Sequence, residues 1–107
     1  MAELRIDVSS LAARIAAGDE LFLLDVREPW EFEICHLAGS VNVPLGTLAG
    51  FDPAVVQPGQ DLIVICHHGM RSLRATMWLR GQGVEATNLD GGIDQWAAIV
   101  QPDMARY

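Results

Sequence analysis

Two near-continuous apolar runs constrain this chain more than any other feature. They are Leu21 to Val26, Leu-Phe-Leu-Leu-Asp-Val, and Asp61 to Cys66, Asp-Leu-Ile-Val-Ile-Cys. A strand with one wet face alternates apolar and polar residues, whereas an unbroken run reads as a strand covered on both faces. Two such strands in one short chain require helices above and below them. That is the layering of a parallel sheet.

The intervening segments carry the helices. Glu3 to Asp7 reads as a short first strand. Ser9 or Ser10 offers an N-cap for a helix with Leu11, Ala12, Ile15 and Ala16 at helical spacing, and Gly18 suits its left-handed stop. Arg27, Glu28 and Pro29 end the first apolar run, and Pro29 fits the first turn of a short helix to about Glu33. Glu28, Glu31 and Glu33 read there as a solvated face. Val41 to Val43 is a short strand stopped by Pro44. The Gly- and Pro-containing stretch 45–60 predicts loop with short helical turns.

After Cys66, a loop over His67 to Arg71 leads into a helix from Ser72 to Gln82, with Ser72, Ala75 and Leu79 on one face. Met77 and Trp78 are read as packing residues of this helix. Ala86 to Leu89 is a further short strand, Gly91-Gly92 turns into a last helix anchored by Trp96, and Val100 to Tyr107 is an irregular tail lying on the domain. Strands alternate with helices throughout, so the expected fold is α/β, a parallel sheet with helices on both faces. Ligands of such sheets bind beyond the carboxyl ends of the strands, where Cys66 falls.

Bulk properties narrow the partners. At 107 residues the chain is expected to form one domain, 1–107, and half of its residues are apolar, enough for a core without disulfides or metal. Seven basic against fourteen acidic residues give a net charge of −7, which argues against nucleic acid as a partner. All the basic residues are Arg, and an anionic ligand needs a local positive site. No run approaches the ~20 apolar residues of a membrane helix. Glu3, Arg5 and Asp7 interrupt any leader-like apolar start, so the expected compartment is the cytoplasm and no membrane partner is expected. Cys35 and Cys66 form no Cys-x-x-Cys pair.

The chemistry concentrates in Cys66-His67-His68-Gly69-Met70-Arg71-Ser72. A thiol between a buried strand and a helix meets the unpaired amides and positive partial charge of the helix start. Gly69 tolerates positive φ, so the loop can turn successive amides inward into an anion nest. Arg71 adds a full positive charge. Each favours thiolate, the nucleophilic form of cysteine. The same nest would hold a persulfide or an anionic donor such as thiosulfate.

Four segments carry a family resemblance. Cys66 to Ser72 resembles the active-site loop of the rhodanese family. Asp25-Val26-Arg27-Glu28 with Glu31-Phe32 resembles its Asp-x-Arg-x-x-x-Glu-Phe/Tyr segment. The stretch from His36 to Pro44 resembles its His-Ile/Leu-x-Gly-Ala-x-Asn-x-Pro stretch, and Asn88 to Ile93 followed by Trp96 resembles its closing Gly-Gly…Trp motif. They occur in the family's order and span most of the chain.

The resemblance implies an open five-stranded parallel sheet and a thiosulfate sulfurtransferase. Cys66 would take sulfane sulfur from a small-molecule donor, thiosulfate or a persulfide, and pass it as a persulfide to a thiol or cyanide, with a protein sulfur acceptor as a further option. His67, His68, Gly69, Met70 and Arg71 would cradle the transferred group, with Asp25, Arg27 and Ser72 as support. No cofactor and no metal would be needed. The chain departs from the family at Cys35, where Gly is usual. Cys35 is either a tolerated turn residue or a second thiol able to resolve the Cys66 persulfide.

Three other readings compete. A Cys-dependent phosphatase of related fold needs Arg six positions after the Cys to clamp phosphate oxygens, but that position is Ser72 and Arg71 comes one residue early. Cys35-His36 and Cys66-His67-His68 carry metal-binding side chains, yet without the usual ligand spacing. A non-catalytic or partner-dedicated rhodanese-like sulfur carrier or binding module is the remaining alternative, and the full-length loop with its Cys argues against a purely binding role.

Overall fold

The structure is a computed structural model that describes residues 3–107. Met1 and Ala2 of the expected 1–107 domain lie outside the described residues. Five strands run in chain order as β1 (Arg5–Ile6), β2 (Leu21–Asp25), β3 (Val41–Asn42), β4 (Asp61–Ile65) and β5 (Ala86–Leu89). They form one sheet in the order β1-β5-β4-β2-β3, and every pairing is parallel. The helices are α1 (Val8–Ala16), α2 (Pro29–Ile34), α3 (Met70–Gly81) and α4 (Gly92–Gln95), the last continuing as a π-helical turn over Trp96–Val100. Residues 45–60 hold two short 3-10 turns, Leu45–Gly50 and Pro53–Val55. No helix among the described residues is long and apolar enough to cross a membrane.

The unbroken apolar runs are explained by two cores, one on each face of the sheet. Ile63 and Ile65 of β4 point into a core with Leu11 of α1 and with Ile93 and Trp96 of the last helical segment. Leu62, Val64 and then Cys66 point the other way, against Ala75 and Leu79 of α3. The strand period of two thus sends Cys66 to the α3 side. Each fully buried Leu, Ile or Val adds roughly 1.5–3 kcal/mol of apolar burial, so β4 anchors both layers.

Two element boundaries and one packing assignment differ from the sequence reading. The N-cap of α1 is Asp7, whose carboxylate accepts the Ser10 N–H at 2.7 Å; Ser9 and Ser10 lie within the first turn. A carboxylate one position ahead of the serines suits the helix start better, because it carries charge toward the positive end of the dipole. Helix α3 begins at Met70, not Ser72, because Gly69 at φ 100° is the left-handed residue from which the helix starts. Met70 and Arg71 therefore sit in its first turn and not in a loop. Met77 and Trp78 lie on the outer face of α3, 55% and 42% exposed, whereas its buried side is Ser72, Ala75, Thr76 and Leu79.

The topology places a crevice beside Cys66. From β2 the chain crosses to β3 at one edge, and from β4 it crosses to β5 in the opposite direction. Connections that diverge from neighbouring strands leave a gap at their carboxyl ends. Asp25 ends β2 and Ile65 ends β4, and the two are register partners.

Candidate active site

Cys66 follows the last residue of β4. Its Sγ accepts the Gly69 N–H at 3.0 Å and lies 3.2 Å from Ser72 Oγ. Both donors belong to the start of α3, so the sulfur faces the positive end of a twelve-residue helix. The residue is only 1% exposed, which puts the thiol on the floor of the loop.

The end of β5 braces this loop. Asn88 accepts from Ser72 Oγ through Oδ1, and its Nδ2 donates to Gly69 O at 3.2 Å and to Asp90 Oδ1 at 2.8 Å. Ser72 has one hydroxyl proton for two contacts, so it serves Asn88 or the sulfur at a given moment. On the other side, the Ile93 and Asp94 amides donate to the Cys66 and His67 carbonyls at 2.8 and 3.0 Å. That close approach requires glycine at 92: a Cβ there would lie 2.5 Å from both carbonyl oxygens.

Asp25 and Arg27 are completely buried and paired, with Arg27 Nη2 donating to Asp25 Oδ2 at 2.7 Å. Arg27 also donates to the carbonyls of Glu31 and Cys35 and to the Tyr107 hydroxyl. Burial by itself would lower the Arg27 pKa, but Asp25 and then Tyr107 raise it. A buried ion pair is tolerated when its remaining donors are satisfied, as here. The pair therefore ties the middle and the C-terminal end of α2, and the tail, to the floor of the crevice, which makes it scaffolding.

Arg71 is not a free cation. Its Nη1 and Nη2 donate to Glu31 Oε1 and Oε2 at 2.6 and 2.7 Å, a bidentate pair. This overturns the reading of Glu31 as part of a solvated face, since Glu31 is 4% exposed. Arg71 holds the Glu31 carboxyl down at about 2, against the upward push of burial. The Glu28 N–H and the Tyr107 hydroxyl donate to the same carboxylate. Met70 and His68 project outward, and the His68 ring stacks on that of His67. Burial lowers the pKa of His67, helped by neighbouring His68.

Sequence reasoning missed Tyr107 as a member of this site, and it treated Glu31 and Asn88 only as parts of motifs, with Glu31 also read as a solvated helix face. A signal for Glu31 existed: Glu28-Pro29-Trp30-Glu31 places a carboxylate three residues past a helix start, where it bonds back to the cap amide. Nothing local announces Tyr107, because its partners lie about 40 to 80 positions away in sequence. Cys35 packs against the core on the α1 side, opposite to Cys66, and both cysteines are free. Among the described residues no three or more His, Cys, Asp or Glu side chains gather as a metal-holding group.

Comparison with known proteins agrees with this geometry. Residues 7–99 match the family described as Rhodanese-like domain. The rhodanese-like/PpiC domain-containing protein 12, chloroplastic, of Arabidopsis thaliana is 39% identical over 83% of this chain and 31% of its own length. The putative sulfurtransferase YtwF of Bacillus subtilis is 29% identical, covering 91% of this chain and 93% of that protein. The crystal structure of a rhodanese-related protein from Thermoplasma volcanium superposes with a TM-score of 0.80 at 31% identity, over 94% of this chain and 96% of that one. The chain spans about a third or less of several longer curated relatives that it matches. A five-stranded parallel sheet that ends its central strand on a cradled cysteine, and a family match over most of the chain, have one common explanation: this chain belongs to the rhodanese-like family, whose relatives include sulfurtransferases.

Proposed function

We propose that this chain moves sulfane sulfur through a persulfide on Cys66. The observation that carries the reading is the pair of contacts on Sγ, from the Gly69 amide and the Ser72 hydroxyl, at the positive end of α3. Hydrogen bonds to an anionic sulfur are stronger than those to a neutral thiol, so this cradle favours the charged states of the cycle. In the first step the Cys66 thiolate attacks the outer sulfur of the donor. The Sγ–S bond forms as the donor's S–S bond breaks, and sulfite leaves thiosulfate or a thiolate leaves a persulfide. In the second step a thiolate or cyanide attacks the outer sulfur, and Cys66 departs as thiolate. The sulfur atom changes carrier with no external oxidant or reductant.

The remaining site residues take supporting parts. The backbone of His67, His68 and Gly69 and the first turn of α3, with Met70 and Arg71, surround the cargo, while Asp25, Arg27 and Ser72 hold this cradle in place. Cys66 lies at the bottom of the loop, 1% exposed, where only the tip of a donor has reason to reach. Such a floor suits a single atom better than a phosphate group. Because Arg71 is committed to Glu31, it also lacks the free fork that phosphate capture requires. A reducing compartment such as the cytoplasm suits two free thiols.

A second reading, a carrier dedicated to a protein acceptor, is favoured by exposed apolar side chains beside the site. Met70 is 70% exposed at the start of α3, and Trp30 is 59% exposed and meets the Tyr107 ring edge-on. Exposed aromatic and Met side chains are typical anchors of protein contacts.

The test is intact mass after incubation with thiosulfate or a small persulfide. A gain of ~32 Da on the peptide holding Cys66, absent in Cys66→Ser, is expected for a persulfide. Equal sulfur transfer by wild type and Cys66→Ser would refute the role of Cys66. A persulfide that passes to proteins but not to cyanide or small thiols would select the dedicated carrier.

A further inference from the structure

The tail residue Tyr107 meets the site through both its hydroxyl and its ring. Its hydroxyl donates to Glu31 Oε2 at 2.7 Å and accepts from Arg27 Nη1 at 2.9 Å. It thereby bridges the two ion pairs of the site, Arg27–Asp25 below and Arg71–Glu31 beside the loop. Its ring stacks on His67, the residue after the nucleophile, at 4.2 Å between centroids and 23° between planes. The family match ends at residue 99, so the likeness does not supply this residue.

We propose that Tyr107 is a positioning residue for the sulfur-carrying loop: its hydroxyl sets how much of the Arg71 charge is felt at Cys66, and its ring holds His67 in place. The electrostatic direction follows from the bonding. Arg71 sits in the first turn of α3, between the Gly69 amide and the Ser72 hydroxyl that contact the Cys66 sulfur. Glu31 spends its negative charge on three sets of donors, namely Arg71, the Glu28 amide and the Tyr107 hydroxyl. Removing the hydroxyl leaves more of that charge acting on Arg71 and the loop. The potential at the sulfur then becomes more negative, which matters in a chain whose net charge is already −7.

The kinetic consequence rests on the sulfur-transfer reading, but the electrostatic one does not. Two variants separate the parts of the side chain: Tyr107→Phe keeps the stack and loses the bridge, and Tyr107→Leu loses both. The first measurement is the rate of Cys66 modification by anionic iodoacetate relative to neutral iodoacetamide, read on the Cys66 peptide in a Cys35→Ser background. In Tyr107→Phe the iodoacetate to iodoacetamide ratio is expected to fall roughly threefold, and to recover in high salt. The second is steady-state transfer from thiosulfate, where KM rises about three- to tenfold in Tyr107→Phe while kcat stays within about twofold. Tyr107→Leu also lowers kcat and shifts the His67 ring-proton resonances, both restored in Tyr107→Phe.

An unchanged reagent ratio in Tyr107→Phe overturns the proposal, since a merely structural tail would slow both reagents alike. A shifted ratio in a protein that moves sulfur from no donor upholds the positioning role and removes only the assigned reaction. Wild-type Cys66 inert to both reagents would overturn both.

Discussion

Arg71 and Glu31 meet through two parallel hydrogen bonds, Nη1 to Oε1 at 2.6 Å and Nη2 to Oε2 at 2.7 Å, and so join α2 to the first turn of α3. The cation nearest Cys66 in the first turn of α3 thus arrives already neutralised, and its first part is to organise the loop.

This pair predicts a pH dependence. The Glu31 carboxyl is lowered to about 2 from an ordinary 4.5, chiefly by Arg71. The unfolded chain therefore binds a proton at Glu31 at higher pH than the folded chain does. The stabilisation is fully present above pH 4.5 and drains away as pH falls toward 2. Wild type is expected to lose on the order of 2–3 kcal/mol across that window that Glu31→Gln does not lose, with the variant less stable at pH 7 by a similar amount. Denaturant titrations at a series of pH values check this. Parallel stability–pH curves for the two proteins would show that the pair contributes nothing.

Ser72→Ala removes the hydroxyl shared between Cys66 Sγ and Asn88 Oδ1. The buried Asn88 oxygen then lacks this donor, at a cost of about 1–3 kcal/mol. The sulfur loses one of two donors, and transfer is expected to fall about tenfold. Stability by denaturation and kcat/KM for sulfur transfer should both drop. A loss of stability alone would mean that the hydroxyl serves only Asn88.

Gly92→Ala would drive a methyl group into the Cys66 and His67 carbonyl oxygens, at a backbone φ of 59° that favours glycine. Neither carbonyl can retreat without giving up its bond to the Ile93 or Asp94 amide. A destabilisation of roughly 2–4 kcal/mol is expected, with amide resonances of residues 66–69 displaced. Chemical-denaturation midpoints and NMR report the two effects.

Cys35→Ser is expected to leave persulfide formation and transfer within about twofold of wild type, because Cys35 packs on the opposite side of the sheet from Cys66. Mild oxidation should yield no Cys35–Cys66 disulfide on non-reducing peptide maps. Appearance of that linked peptide would restore the resolving-thiol role.

The fold was largely legible in the sequence, since its determinants are local. The apolar runs around Leu24 and Ile63 required a sheet covered on both faces, whereas the side that Cys66 faces emerged only with the two cores in place. The position of Cys66 between β4 and a helix and the glycine turn at Gly69 were legible too, because strand, cysteine, loop and helix are contiguous. The tertiary structure alone decided the electrostatics. Whether Arg71 is free or paired depends on Glu31, 40 residues away, and the state of Glu31 depends in turn on Tyr107, 76 residues away. Charge acts through space, and sequence spacing says nothing of which distant carboxylate a folded chain will bring within 3 Å of a guanidinium.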